Sequence, residues 1–242
     1  MGGSILSFAN LSEQAGLVWR VARSPPLTID LFGSEEAQRA FRQFTAPHER
    51  LRVVRSKTFG VALLPIPRTR REALGGANFR NLRQRRQRAL SRGYTFRSLD
   101  ALERLGEILA IHCSVDKRQG KPLAPGYLDP ARVRRYCASS GSFFGVFDAD
   151  NVLRAYCHVP VLGDVFAFAR ILGQYDRLKD GVMYLLVSEA VVTMRAELDK
   201  RGYPCWAMYD MFIGGGAGLR IFKKECGFRP YRVVWRWRNG TA

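Results

Sequence analysis

Histidine is scarce in this sequence, and its cysteines follow no ligand pattern. The three histidines, His48, His112 and His158, are never paired at the spacing of a metal motif. The five cysteines never occur with two residues between them, the spacing typical of zinc sites and redox motifs. We therefore expect no metal in the site, and reduced thiols of the kind found in cytoplasmic proteins.

Long apolar runs are also missing. No stretch approaches the roughly 20 apolar residues that a transmembrane helix needs. The first residues, MGGSILSFANLSEQ, lack the basic segment and apolar run of a secretory signal. Apolar residues still make up 47% of the chain, which is enough for a core. The sequence thus predicts a cytoplasmic protein with one large domain and room for a smaller unit.

Acidic residues are few relative to basic ones. The chain has 39 Lys and Arg against 21 Asp and Glu, a formal net charge of +18. Such a charge implies a polyanionic partner, which is a nucleic acid, an acidic membrane surface or a phosphate-rich ligand. Arginine-rich codon usage over a solvated surface is the alternative. It does not explain why ten arginines and one acid fall between Arg68 and Arg97.

Residues 1–74 predict a small, incomplete α/β unit. We expect a strand over Leu27–Phe32, then a helix over Glu35–Phe44 that is capped by Ser34. The alternating and then apolar segment Leu51–Pro67 predicts a pair of strands. Because this unit has few core residues, we expect a partial N-terminal subdomain that packs on the main domain.

Residues 75–93 predict a basic helix. Asn78 is expected to cap a helix over Phe79–Ser91, and Gly93 to end it. Guanidinium groups on one helical face can follow a phosphate backbone. The alternative is a solvated face, although like charges this close repel one another. The predicted nucleic-acid contacts are Arg80, Arg83, Arg85, Arg86, Arg88 and Arg92.

Residues 94–242 predict a definite order of elements. It is a strand, two helices, three antiparallel strands, a long helix, a strand, a glycine-rich turn, a short helix and a last strand. The first strand is predicted over Tyr94–Arg97. The two helices are predicted over Leu99–Val115, after a Ser98 cap, and over Pro130–Ser139, after an Asp129 cap. The three strands are predicted over Ser142–Phe147, Val152–Val161 and Val165–Leu172, and the long helix over Gly181–Lys200.

The glycine-rich turn has four glycines between Gly214 and Gly218 and leads into a helix with Arg220, Lys223 and Lys224. Glycine permits close backbone approach, and a helix N-terminus presents unpaired N–H groups to anions. The alternative is a flexible connection to a basic amphipathic helix.

The order of elements from Tyr94 to Trp237 resembles the GNAT acyltransferase fold. This resemblance implies an α/β (α+β) fold with a mixed, mostly antiparallel central sheet flanked by helices. Members that use acetyl-CoA have a pyrophosphate loop, [QR]-x-x-G-x-[GA], before the long helix. Arg170 and Gly173 match that loop, whereas Tyr175 stands where the family has a small residue.

Other segments resemble the FemABX branch of this fold. The F-K-K-x-C-G-F segment at Phe222–Phe228, the basic stretch Arg80–Gly93 and the helix followed by G-Y-P at Arg201–Tyr209 are similar to its motifs. The resemblance implies a transferase that joins the aminoacyl group of aminoacyl-tRNA to the amine of a peptide or peptide-like acceptor. The chain is also similar to the alanyl-tRNA-dependent transferases of peptide-antibiotic biosynthesis. The implied partners are the tRNA acceptor end and an amine acceptor, with no cofactor.

The roles we predict follow from this chemistry, which requires positioning, a neutral amine and an oxyanion stabiliser. Lys223 and Asp210 are the predicted catalytic residues. The predicted substrate-binding residues are Arg170, Tyr175, Tyr209, Phe222 and Arg220. Roles without chemistry remain as alternatives: Lys223 as a solvated lysine, Phe222 as a core residue, and Asp210 as a turn residue.

Two other functions remain open at this point. One is an N-acyltransferase of the same fold that takes its acyl group from acyl-CoA or from a carrier protein. The other is a noncatalytic RNA-binding protein, in which the basic helix alone has the function.

Overall fold

The computed structural model describes residues 15–47, 55–67, 69, 72, 74–115, 117–118 and 121–239. Residues 15–23 are helical and form α1. The other helices are α2 (Glu35–Thr45), α3 (Arg80–Ser91), α4 (Leu105–Cys113), α5 (Pro130–Cys137), α6 (Val182–Arg201) and α7 (Ala217–Glu225). The strands are β1 (Leu27–Leu31), β2 (Phe59–Pro65), β3 (Thr95–Ser98), β4 (Lys117–Arg118), β5 (Lys121–Pro122), β6 (Ser142–Phe147), β7 (Leu153–Val159), β8 (Val165–Ala167), β9 (Arg170–Gly173), β10 (Trp206–Met211) and β11 (Arg229–Trp237).

The larger sheet has five strands in the order β1-β11-β2-β10-β8. β1 runs parallel to β11, β10 runs parallel to β8, and β2 is antiparallel to both β10 and β11. The strands of the N-terminal segment and those of the C-terminal segment therefore share one sheet. In the predicted strand pair over 51–67, β2 is observed, and residues 51–54 lie outside the described part of the chain.

The smaller sheet has four antiparallel strands in the order β3-β6-β7-β9. The strand predicted over Val165–Leu172 is divided between the two sheets. Its first half, β8, pairs with β10, and its second half, β9, pairs with β7. The division comes at Phe168 and Ala169, and the two sheets diverge from there.

The long helix α6 lies on the smaller sheet and fills the core. Leu185, Leu186 and Ala190 are fully buried in the same cluster as strand residues Val146 and Ala155. α3 also packs against α6. No helix in the described ranges is both long enough and apolar enough to span a membrane.

Two helix caps are as predicted, and two are not. The Ser34 hydroxyl accepts from the Ala37 N–H, and Asp129 caps α5 with Pro130 at its first position. α4, however, begins at Leu105 rather than Leu99, because the Asp100 carboxylate accepts backbone N–H groups and holds the preceding residues in turns. Asn78 does not cap α3, whose N-cap residue is Phe79.

Candidate functional site

A cavity opens where the two sheets part. The Phe168 N–H donates to the Met208 carbonyl in the larger sheet, at 2.9 Å, whereas the next N–H, that of Ala169, donates to His158 in the smaller sheet, at 3.0 Å. Beyond this exchange the strands diverge around a cavity of about 720 Å³. Its walls come from β8, β9, the end of β10, α2, α5 and the segment before α5. Three of the predicted site residues, Arg170, Tyr209 and Asp210, line it.

Asp210 lies at an irregular point of β10. The register of β10 against β2 shifts between Met208 and Met211, and Asp210 has a φ of 49°, in the left-handed region. Strained backbone of this kind occurs most often at functional sites. Its carboxylate pairs with the Lys57 ammonium at 2.7 Å, yet 60% of the side chain remains exposed. Burial opposes ionisation, but the Lys57 and Lys223 cations outweigh it and hold the pKa of Asp210 below its ordinary value.

Lys223 lies beneath Asp210 rather than on the surface. Only 2% of the residue is exposed, and Nζ donates to the Met211 carbonyl at 2.7 Å. Nζ also lies 4.6 Å from the centre of the Tyr209 ring. Burial lowers the pKa of Lys223 to about 8, while Asp210 raises it and Lys57 lowers it further. Lys223 is therefore not a solvated lysine. It supports the irregular end of β10 and the charge of Asp210.

Arg170 lies on the opposite wall, against two tyrosine rings. Its Cζ is 3.6 Å from the centre of the Tyr136 ring and 4.4 Å from that of Tyr127. The atom Nη1 is buried and has no hydrogen-bond partner in the described part of the chain. Buried guanidinium N–H groups normally have a partner, so the site has an unused donor.

The groups behind Arg170 are neutral. The Tyr136 hydroxyl donates to His158 Nδ1 at 2.8 Å, because His158 Nε2 donates to the Ser140 carbonyl at 2.7 Å. Burial lowers the pKa of His158, and the same cause raises the pKa of Tyr136. His112, which the sequence places on an apolar helix face, is fully buried and bonded to the Tyr156 hydroxyl.

The other predicted substrate-binding residues lie away from this cavity. Phe222 packs edge-on against Tyr184, at 4.8 Å between ring centres, as a core residue does. Tyr175 is 61% exposed on the turn before α6. Arg220 donates to the Gly215 carbonyl at 2.6 Å and lines a separate groove of about 500 Å³. Three further cations line that groove, namely Arg20, Lys224 and Arg229.

The arginines of α3 divide into two sets. Arg83 donates to two backbone carbonyls before the helix, Arg86 pairs with Glu189 of α6 at 2.7 Å, and Arg92 pairs with the buried Asp180. Arg86 and Arg92 fasten α3 to the domain, and Arg83 fastens it to the segment just before it. The second set, Arg80, Arg85 and Arg88, is exposed. No ion pair within the described ranges involves any of these three.

Sequence reasoning missed Lys57, Tyr127, Tyr136 and His158. Lys57 reaches Asp210 only because β2 pairs with β10, and local sequence gives no sign of that pairing. For the two tyrosines, the sequence indicates only an aromatic residue in a helix and one in a loop, and it gives no sign that they contact Arg170. No group of three or more His, Cys, Asp or Glu side chains in the described ranges is arranged to hold a metal ion.

Three solved structures are similar to this chain at low sequence identity. A conserved protein of unknown function from Bacteroides thetaiotaomicron is 16% identical with a TM-score of 0.52, and the match covers 70% of this chain and 55% of that one. FemX is 13% identical with a TM-score of 0.50, covering 71% and 59%. L-PGS from Bacillus licheniformis is 14% identical with a TM-score of 0.47, covering 72% and 61%. The chain thus matches less than two thirds of each.

The fold is the GNAT-like acyltransferase fold that the order of elements predicted, with mixed sheets flanked by helices. No family model and no curated protein matches the chain.

Proposed function

We propose that this protein is an acyltransferase that takes the aminoacyl group from aminoacyl-tRNA and joins it to the amine of a peptide or peptide-like acceptor. The observation that supports this most strongly is Asp210. It is an exposed carboxylate in strained backbone, placed between two lysines at the mouth of the cavity where the sheets part. The structural similarity to FemX is consistent with aminoacyl-tRNA as the donor.

The proposed reaction needs no covalent enzyme intermediate. The acceptor amine attacks the ester carbonyl of the aminoacyl group, a tetrahedral oxyanion forms, and the terminal hydroxyl of the tRNA leaves with a proton that comes from the amine. Asp210 accepts a hydrogen bond from the amine and orients it. Because its pKa is lowered, Asp210 is a weak base, so we assign it to positioning more than to proton removal. Lys57 is the cation at this point of the cavity and is available to the oxyanion.

Lys223 has an indirect part in this proposal. Its ammonium is buried and bonded to the Met211 carbonyl, so it does not touch the substrate in this conformation. We propose that it positions Asp210 by supporting the backbone just after it.

Two features favour a tRNA donor over coenzyme A. The Arg85 carbonyl packs against Gly181 at the start of α6, where a side chain would collide with it. α3 thus covers the helix start that members using acetyl-CoA offer to the pyrophosphate. The exposed arginines of α3 and the groove beside α7 instead supply a basic surface for a longer polyanion. A tRNA donor also agrees with action in the cytoplasm.

Binding measurements test the donor class. Bulk tRNA and acetyl-CoA are titrated separately into the protein at about 50 mM and about 200 mM salt, and affinity is followed by fluorescence anisotropy or calorimetry. We expect tRNA to bind, with an affinity that falls by about tenfold or more between the two salt concentrations. Acetyl-CoA binding without tRNA binding would instead support the N-acyltransferase alternative.

A further inference from the structure

We infer that the cavity binds an acceptor with a free carboxylate at one end and an amine at the other, with the carboxylate on Arg170 and the amine at Asp210. The acceptor class is then a free amino acid or short peptide with an unblocked carboxyl group. This inference rests on the proposed function for the role of the amine, but the carboxylate subsite stands on the geometry of Arg170 alone.

Arg170 is built into the wall as an anion receptor. Two aromatic faces hold its guanidinium plane, with Cζ 3.6 Å from the Tyr136 ring centre and 4.4 Å from that of Tyr127. Contacts with ring faces fix the group without using its N–H donors, and Arg170 also donates a hydrogen bond to the Tyr156 hydroxyl. Nη1 is buried, and the described residues offer it no hydrogen-bond acceptor. A carboxylate in the cavity would satisfy this donor with a charge-assisted hydrogen bond.

The surroundings of Arg170 leave its charge uncompensated. Tyr136 and His158 are both neutral and hydrogen-bond to each other, and His158 Nε2–H donates a hydrogen bond to the Ser140 carbonyl. Glu36 of α2, which also lines the cavity, accepts from the Ser140 hydroxyl at 2.6 Å. Since Asp210 pairs with Lys57, no described carboxylate forms an ion pair with Arg170.

The charge of the walls fits a single negative charge better than a phosphate. The charged residues that line the cavity are three cations, Arg39, Lys57 and Arg170, and two carboxylates, Glu36 and Asp210. The excess is one positive charge. One carboxylate balances it, whereas a phosphate ester brings up to two negative charges next to Glu36 and Asp210.

The strands place the two binding groups across the cavity from each other. The bond from the Phe168 N–H to the Met208 carbonyl, at 2.9 Å, lies where the pairing of β8 with β10 ends. Arg170 and Asp210 each come two residues later, about 7 Å along their strands, on walls that diverge from that point. A small molecule with an amine at one end and a carboxylate at the other can therefore span them.

The test uses the whole protein without tRNA. A set of dipeptides with free carboxyl groups and the same dipeptides as C-terminal amides are titrated in parallel, and binding is followed by calorimetry and by ligand-detected NMR. We expect the free acids to bind about 10- to 100-fold more tightly than the amides, which is the range for one charge-assisted hydrogen bond. Equal binding of acids and amides, or no binding of either up to about 10 mM, would overturn the inference.

Variants locate the effect at Arg170. Arg170→Gln is expected to abolish the preference for free acids, and Arg170→Lys to retain only part of it, since lysine lacks the planar donor pair. Arg42→Gln removes an exposed cation of α2 that does not line the cavity, and it should leave the preference within about threefold, as a screened charge does. Thermal unfolding verifies that each variant is folded. Retention of the preference in folded Arg170→Gln would contradict the assignment.

This design separates the inference from the proposed function. If the acid preference depends on Arg170 but no transfer from aminoacyl-tRNA is found, the donor assignment fails and the carboxylate subsite stands. If transfer occurs with acids and amides at equal rates, the donor assignment stands and the subsite fails.

Discussion

At the scale of single residues, the site depends on a carboxylate held in an unfavourable backbone conformation. A φ of 49° is uncommon for any residue other than glycine, and Asp and Asn tolerate it better than most. Lys57 holds the Asp210 side chain from the surface, and Lys223 holds the next carbonyl from below. Lys57 and Lys223 thus contact the irregular strand end from two sides.

Lys223 leads to a prediction about pH. Its pKa is about 8 in the folded protein and has its ordinary value of 10.5 in the unfolded chain. Between these values the unfolded state binds more protons, so the contribution of Lys223 to stability rises with pH in this window. We expect wild type to gain stability relative to Lys223→Met by up to about 1.4 kcal/mol per pH unit from about pH 8 to about pH 9.5.

The measurement is urea unfolding of both proteins at several pH values. The buried cysteines and tyrosines have raised pKa values and act in the opposite direction, but they are common to both proteins and cancel in the difference. A difference that stays flat from pH 7 to pH 9.5 would show that Lys223 is not titrating in this range.

The order of elements was enough to place three of the predicted site residues in the fold. Arg170, Tyr209 and Asp210 belong to strand ends that the order of elements identifies, and all three line the cavity. The burial of Lys223 was not predictable, because a basic amphipathic helix gives no sign of which lysine turns inward. Tyr136 became relevant only through its stacking on Arg170, a contact between distant parts of the chain.

At the scale of elements, the docking of α3 decides what can reach the start of α6. Gly181 has a φ of 90° and lies against the Arg85 carbonyl, so both its conformation and its lack of a side chain are needed. Arg86 and Arg92 add ion pairs to α6 and to the turn before it. α3 is therefore a packed helix of the domain as well as a basic surface.

Gly181→Ala tests this docking, and Gly202→Ala is the matched control. Gly202 also has a positive φ, of 73°, but a side chain there would meet nothing within 4 Å. We expect Gly202→Ala to cost about 1 kcal/mol from backbone strain, and Gly181→Ala to cost about 2 kcal/mol more because of the collision. Urea unfolding measures both changes. Equal costs would mean that α3 does not press on Gly181 in solution.

The exposed arginines of α3 give a prediction about tRNA. Replacement of Arg80, Arg85 and Arg88 by glutamine removes three exposed cations that we propose to contact phosphates, without touching the ion pairs that fasten the helix. We expect weaker tRNA binding and a drop of about 2 to 3 in the slope of log affinity against log salt.

The control for this prediction removes the same charge elsewhere. Arg132, Arg134 and Arg135 of α5 are exposed, and their replacement by glutamine lowers the net charge equally. The α5 variant should keep most of the salt slope. If both variants lose the same amount, net charge rather than the α3 surface governs binding.

The sequence predicted most elements but not their division between sheets. The helix caps at Ser34 and Asp129 are local hydrogen bonds, and such bonds follow from neighbouring residues. The break at Phe168 and Ala169 is different. It arises because the first half of the segment pairs with β10 and the second half with β7, and both partner strands are set by contacts far away in the chain.

At the scale of the whole molecule, two sheets share one strand region and part at the site. The N-terminal strands β1 and β2 complete the larger sheet beside β10 and β11, so that sheet, which forms one wall, depends on both ends of the described chain. The smaller sheet supplies the other wall through β9. The excess of basic residues, concentrated on α3 and around the α7 groove, gives this frame a basic exterior near a cavity of nearly balanced charge.

Transfer of the aminoacyl group is the most direct test of the proposed function. Bulk tRNA charged with labelled amino acids is incubated with the protein and a dipeptide pool, and label is followed from the alkali-labile ester into alkali-stable amide. We predict amide formation by wild type and a rate about 10-fold lower for Asp210→Asn, which keeps the left-handed backbone but offers the amine a weaker, uncharged acceptor. Amide formation from acetyl-CoA and none from aminoacyl-tRNA, or an unchanged rate in folded Asp210→Asn, would contradict the account.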